Sequence, residues 1–287
     1  MKNKPLVSVI VPCYNQGKYV FETLKSVQKQ TFRNFECVIV NDGSSDDSQN
    51  VIEIFCQSDS RFRFFYKKNE GVSIARNYAI KHSRGEYILP LDADDVLSPD
   101  YLQESLEVFS NNPNIKLVYT ETRLFGRINS TLKLPDYNFE LLLSRNLIVC
   151  TALYKRVDYD KTKGYNPNMS SGLEDWDFWL SFLTPKDIVY KINKELFFYR
   201  IKKDSRNVSG ETDITNQRKQ IWYNHRDLYS SYFFNPKESV EYILLINSIE
   251  YRLGKIIISP IKKAIRCYDR FINYIKHNRF IFHLYNC

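Results

Sequence analysis

Two apolar runs, LVSVIV at residues 6–11 and FECVIV at 35–40, place β-branched residues at consecutive rather than alternate positions. A strand with one wet face alternates apolar and polar residues, so consecutive apolar positions fit a strand covered on both faces. Crossover helices supply that cover in parallel sheets. The segment between the two runs fits such a helix, with Val20, Leu24 and Val27 at helical spacing over Tyr19–Gln30. The alternation continues with a helix expected over Asp46–Cys56, a strand over Phe62–Tyr66, a helix over Val72–His82 and a strand over Tyr87–Leu91. Ser98-Pro99 then offers an N-cap and a first-turn proline for a helix running to about Phe109. The first 110 residues are therefore expected to form a doubly wound, mostly parallel α/β sheet with right-handed crossovers.

Beyond Leu117 the pattern loosens. Strands are expected over Leu117–Thr122, Cys150–Tyr154 and Leu196–Ile201, with a short helix around Leu141–Ser144. Glu174–Leu183 reads as a helix with Trp176, Trp179 and Leu183 on one face, and the chain past Thr215 reads as mostly helical. The six cysteines form no C-x-x-C pair and no zinc-like spacing with His, which points to a reducing compartment. No signal-peptide core precedes the first strand and no run of about 18 apolar residues occurs, so a cytoplasmic chain without a spanning helix is expected. The net charge of +8 is concentrated late, with 12 Lys and Arg against 5 Asp and Glu over residues 216–287. A nearly neutral body argues against nucleic acid as a partner.

In an open α/β sheet, ligands bind beyond the carboxyl ends of the strands. Three of those ends are polar here: Pro12-Cys13-Tyr14-Asn15, Asp42-Gly43-Ser44-Ser45-Asp46 and Asp92-Ala93-Asp94-Asp95. The first turn, PCYNQGK, carries neither G-x-G-x-x-G nor a P-loop. Without a glycine cradle, a bound diphosphate needs another source of positive charge. The crowded acids of LDADD suit Mn2+ or Mg2+, which bind oxygen ligands and are commonly held by one or two carboxylates plus substrate phosphates. An acidic turn capping the next helix is the plainer reading of the same residues.

Four blocks together resemble the family 2 glycosyltransferases, whose fold is GT-A. They are VSVIVPCYNQGKYVFETLKSVQKQTFRNFECVIVNDGSSDDS, GVSIARNYAIKHSRGEYILPLDADD with its terminal D-x-D, SSGLEDWDFWLSFL, and the weaker YRIKKDS, within residues 5–210. The resemblance implies an inverting transferase acting on a UDP- or GDP-type nucleotide sugar and a saccharide or lipid-linked saccharide acceptor. It implies donor-binding roles for Pro12, Tyr14, Asn15, Asp42, Arg76, Asp92, Ala93, Asp94, Arg200 and Lys202. Tyr14 would pack on the base and Asp42 would hydrogen-bond it, although a packed aromatic and a turn residue are the simpler roles. Asp92, Asp94 and Asp95 would share the metal and the ribose. Asp175 would be the general base, with Glu174 and Trp176 on the acceptor side. Residues 1–213 would then form the catalytic domain, with a nucleotide-binding half at 1–110 and an acceptor-side half at 111–213. Residues 214–287 would form a helical, basic extension.

One departure stands out. Many relatives carry a His in the slot that Lys202 fills in Tyr199-Arg200-Ile201-Lys202-Lys203-Asp204-Ser205. A charged lysine cannot ligate a metal, so Arg200 and Lys202 read better as phosphate clamps. Two other functions compete. A nucleotidyltransferase would show a Gly-rich basic loop after the first strand, and a non-catalytic sugar-nucleotide-binding module would be expected to lose some of these acids. In the tail, Pro260 is expected to start a helix whose apolar face holds Ile261, Ala264, Ile265, Tyr268, Phe271, Ile272 and Ile275. Lys262, Lys263, Arg266, Arg270, Lys276 and Arg279 lie largely elsewhere, as in a helix on an anionic membrane surface at the inner face of the cell membrane. A helix packed on the catalytic domain would show the same pattern.

Overall fold

The computed structural model describes residues 4–202, 214–233 and 235–284. Lys203, Asp204 and Ser205 of the last block lie outside the described residues. The chain divides into two compact units, Met1–Phe234 and Asn235–Cys287.

The first unit opens as expected, with β1 (Val7–Cys13), α1 (Val20–Gln28), β2 (Phe35–Asp42), α2 (Ser48–Ser58), β3 (Phe62–Lys67), α3 (Val72–Lys81) and β4 (Tyr87–Pro90). There follow β5 (Val96–Leu97), α4 (Tyr101–Asn111), β6 (Ile115–Gly126), β7 (Ser130–Leu132), α5 (Phe139–Ser144), β8 (Leu153–Lys155), α6 (Arg156–Tyr159), α7 (Glu174–Phe182) and β9 (Ile188–Ile201). The strands form one mixed sheet in the order β3-β2-β1-β4-β8-β6-β9-β5, with β7 paired to β6. Its first four strands are parallel, β8 runs antiparallel to β4 and β6, and β9 runs parallel to β6.

Both faces of β1 and β2 are covered, which is why their sequences do not alternate. Val7, Val9 and Val11 pack with Val20 and Leu24 of α1 and Ile52 and Phe55 of α2. Ile10, Val38 and Val40 face the other way, towards Ala75 and Ala79 of α3 and Trp176 and Trp179 of α7. β1 continues beyond the apolar run, through Pro12 to Cys13. Ile10 accepts from the Leu91 N–H on the β4 side, so alternation turns Pro12 to that side too, beyond the last paired residue of β4. The missing N–H therefore costs no ladder bond.

Two helices past residue 213 belong to the first unit. Within Ile214–Asn224, Ile221 is buried and Gln217 donates to the Ser171 carbonyl at 3.0 Å. Asn224 Nδ2 donates to Asp177 Oδ1 of α7 at 2.6 Å, and Tyr229 of the helix Arg226–Ser231 donates to the Leu143 carbonyl at 2.9 Å. The second unit holds the helices Val240–Asn247 and Ile249–Leu284. Pro260 lies inside the latter instead of starting it. A proline removes one helical hydrogen bond there, and the helix carries on across it.

A buried knot joins β1, β2 and the turn before β4. Glu36 accepts from Ser8 Oγ at 2.8 Å and from Arg63 Nη2 at 2.7 Å, while the Gly85 N–H donates to Ser8 Oγ at 2.8 Å. A Cβ on Gly85 would lie 2.5 Å from the Ser8 nitrogen. Gly85→Ala is therefore expected to lower stability by about 1–3 kcal/mol. A lower urea midpoint with an unchanged slope checks this, and an unchanged midpoint contradicts it.

Candidate active site at the sheet's switch point

The chain crosses from β1 to β2 and β3 on one side, then returns to place β4 on the other. The order reverses between β1 and β4, and a crevice opens beyond their carboxyl ends at such a reversal. Parallel register brings the three polar strand ends together at that end of the sheet.

The β1 and β2 ends are laced to each other. Asn15 has φ 53°, a left-handed conformation that Asn tolerates better than most residues. Its N–H donates to Ser44 Oγ at 3.0 Å and its Oδ1 accepts from the Ser45 N–H at 2.8 Å. The Gly17 N–H donates to Asp46 Oδ2 at 2.9 Å. Pro12 is buried in β1, while Tyr14 is 49% exposed and has ring surface open for stacking. Asp42 is buried and accepts from Lys67 Nζ at 2.6 Å, the Glu70 N–H at 3.1 Å and the Gly71 N–H at 2.9 Å. It anchors the turn into α3, and a carboxylate's roughly four lone-pair positions leave room for one more donor.

Arg76 of α3 is wholly buried. Its Nη2 meets Asp92 Oδ1 at 2.7 Å, its Nη1 meets Glu174 Oε1 at 2.8 Å, and its guanidinium lies 5.3 Å from the Tyr165 ring centre. Burial opposes the charge, but Asp92 and then Glu174 outweigh it and hold the pKa above the ordinary arginine value. The side chain thus braces the acid turn against α7. Glu174, expected beside the acceptor, faces this bridge.

The remaining acids of LDADD have different environments. Ala93 is buried. Asp94 forms an ion pair with Lys202, and its carbonyl accepts from Arg200 Nε at 2.7 Å. Asp95 is buried and accepts the Arg200 N–H at 2.8 Å through Oδ1, while its Oδ2 has no hydrogen-bond partner. Burial, then the charges of Asp94 and Asp92, push its pKa well above the carboxylate range. Arg200 also meets Glu22 at 2.5 Å and lies over Phe125 and Tyr19, at 4.2 Å and 4.9 Å from their ring centres. Its guanidinium is committed to holding β9 against the turn.

Among the described residues, no three His, Cys, Asp or Glu side chains are grouped to hold a metal by themselves. The orphaned Asp95 oxygen and the Asp94 carboxylate beside it form an all-oxygen set of the kind that Mn2+ or Mg2+ shares with a diphosphate.

Asp175 stands in the first turn of α7, after Leu173 at φ 58°. A left-handed leucine carries strain of about 1–3 kcal/mol, and such strain clusters at working sites. Asp175 accepts from Asn146 Nδ2 at 2.9 Å and from the Trp176 N–H at 2.8 Å. Burial first, then the Glu174 charge, push its pKa up to about 7, against the opposing effects of Arg76 and these hydrogen bonds. Trp176, expected on the acceptor side, is buried in the core and donates to the Leu142 carbonyl at 2.7 Å. The Arg218 guanidinium lies 4.3 Å from its ring centre. Sequence reasoning missed Asn146, Lys67 and Arg218. None sits in a recognisable motif, and Asn146 falls in a stretch with no readable periodicity.

The model of the family described as glycosyl transferase family 2 matches residues 8–175. Chondroitin synthase of Escherichia coli is 33% identical over 184 residues, covering 63% of this chain but only 27% of that protein. The Bacillus subtilis protein TuaG, named for teichuronic acid biosynthesis, is 28% identical over 237 residues, covering 80% of this chain and 91% of TuaG. Among solved structures, S. aureus TarS 1–349 in complex with UDP-GlcNAc aligns at TM-score 0.64 with 19% identity, over 87% of this chain and 74% of that one. Mannosyltransferase PcManGT from Pyrobaculum calidifontis, in complex with GDP-Man and Mn2+, aligns at TM-score 0.60 with 17% identity, over 83% and 67% of the two chains. These structural likenesses speak to the fold. A family match across more than half of the chain, on a sheet that solved proteins share, makes this protein a member of glycosyl transferase family 2 with the GT-A architecture.

Proposed function

We propose that this chain transfers a sugar, with inversion, from a nucleotide-diphosphate sugar to a hydroxyl of a saccharide or lipid-linked saccharide. The observation that carries this reading is Asp175, a carboxylate tuned to about 7 and linked through Glu174, Arg76 and Asp92 to the acid turn. An acid tuned to that range takes a proton readily near neutral pH. Asp175 would remove the acceptor's hydroxyl proton as the oxygen attacks the anomeric carbon, opposite the departing diphosphate. Tyr14 and Asp42 would receive the base, and Asp92 the ribose. A divalent cation, Mn2+ or Mg2+, when held by Asp94 and Asp95 with the diphosphate, neutralises charge on the leaving group. The UDP-GlcNAc and the GDP-Man with Mn2+ named for the two solved structures support this donor class. The names of chondroitin synthase and TuaG support polysaccharide assembly as the setting.

The second unit supports a membrane surface as the setting of that chemistry. At about 100° per residue, Arg252, Lys255, Lys262, Lys263, Arg266 and Arg270 fall within an arc of roughly 100° on the helix Ile249–Leu284. The opposite side carries Leu253, Ile257, Ile261 and Tyr268, each large, apolar and exposed. Among the described residues, no helix is long and apolar enough to cross a membrane. A basic arc beside an exposed apolar arc suits a helix lying in an anionic lipid interface.

Four outcomes are expected. Asp175→Asn lowers transfer by about 100-fold or more and leaves donor affinity nearly unchanged, whereas equal losses of both contradict a base role. In the intact enzyme, kcat/KM rises with pH through about 7 to a plateau, because only ionised Asp175 accepts a proton. Asn146→Ala moves that limb to higher pH, since the lost hydrogen bond favoured the charged form, and an unmoved limb in the pH–rate profile contradicts the assignment. The full chain co-sediments with phosphatidylserine vesicles and less with phosphatidylcholine, and Lys262→Glu with Arg266→Glu weakens that binding. Equal binding to both lipids, or none, contradicts the interfacial helix.

A further inference from the structure

We propose that Lys202 is a resident counter-cation for Asp94, and that a divalent metal ion gains that carboxylate only by displacing it. This deepens the reading of the acid turn as the cation site and rests on it. Lys202 and Asp94 are ion-paired, with side chains 17% and 18% exposed. The ammonium also donates to Gln16 Oε1 at 3.0 Å and lies 5.2 Å from the Tyr19 ring centre. The pair therefore sits where the β1–α1 turn, the acid turn and the end of β9 meet.

An ammonium has three donors and no lone pair, so it cannot share a metal's coordination sphere as a ligand. A second cation on the same carboxylate would be repelled by it. Asp94 therefore serves one cation at a time. Of the two basic residues at this end of β9, Lys202 is the one built to move. Arg200 is fixed by the Asp94 carbonyl, Glu22 and two aromatic rings. Lys202 is held by polar contacts at the tip of a flexible four-carbon stem.

Displacement leaves a lysine charge beside a bound diphosphate, whose oxygens are its natural new partners. The metal alone must evict the ammonium without compensation. With a nucleoside diphosphate present, the ammonium exchanges one anion for another. Lys202 thus acts as a positioning residue that makes cation and donor bind together, a coupling that is reciprocal.

The test is a Mn2+ titration of the full chain, read by electron paramagnetic resonance of free Mn2+, with and without UDP or GDP. Lys202→Met keeps the stem's bulk and removes the charge, and Lys202→Arg keeps the charge. Without nucleotide, Lys202→Met should bind Mn2+ about tenfold more tightly than the parent, while Lys202→Arg stays within about twofold of it. The factor by which nucleotide tightens Mn2+ should shrink in Lys202→Met. Equal or weaker Mn2+ binding by Lys202→Met overturns the proposal and leaves the cation site standing. Absence of Mn2+ binding in every protein, even with nucleotide, overturns the cation reading of the acid turn and the proposal with it.

Discussion

The site hangs on one buried guanidinium. Arg76 comes from α3, Asp92 from the turn after β4 and Glu174 from the start of α7, and the arginine is wholly excluded from solvent. A buried charge is tolerated only when paired, and stripping one partner from such a pair typically costs about 3–5 kcal/mol. Arg76 therefore needs both carboxylates in place. That requirement locks the two ends of the candidate site to each other, the acid turn on one side and the Asp175 helix on the other. It also sets the charge balance at Asp175, because Glu174 pushes its pKa up while Arg76 pulls it down.

The same accounting explains how three aspartates coexist within four positions. Each meets a different form of compensation. Asp92 has the Arg76 guanidinium, Asp94 has the Lys202 ammonium, and Asp95 has the Arg200 backbone N–H on one oxygen. The last is the least compensated, and its pKa is driven up accordingly. An incoming divalent cation would find one acid braced, one guarded by a lysine and one with an oxygen left orphaned in the interior. The turn is thus graded, with its charges ranked by how readily they are surrendered.

Much of this is legible in the sequence. The consecutive β-branched runs correctly gave a sheet covered on both faces, and the polar strand ends lay where the switch-point rule put them. What resisted reading was contact between distant segments. Arg76 and Glu174 are 98 positions apart, and no periodicity links a helix charge in one to a helix start in the other. The resemblance implies an acceptor-side place for Trp176, but its indole N–H is satisfied by Leu142 in the core. The first half of β9 was missed for a simpler reason. IVYKINKE is interrupted by Lys191, Asn193, Lys194 and Glu195 and is partly exposed, so it lacks the longer apolar run that betrayed β1 and β2. Pro12 lies inside β1, and Pro260, expected to start a helix, lies inside one, yet each sits where its missing N–H costs little or a single bond.

The central claim is that the β1–β4 switch point is a nucleotide-sugar site. It is tested most directly by a thermal-shift panel of UDP-, GDP- and dTDP-sugars on the full chain, with and without Mn2+. A ligand that binds the native state raises its apparent stability by mass action. The account predicts that at least one nucleotide sugar raises the melting temperature, and raises it further with Mn2+. No shift with any of these donors, with or without the metal, would contradict it.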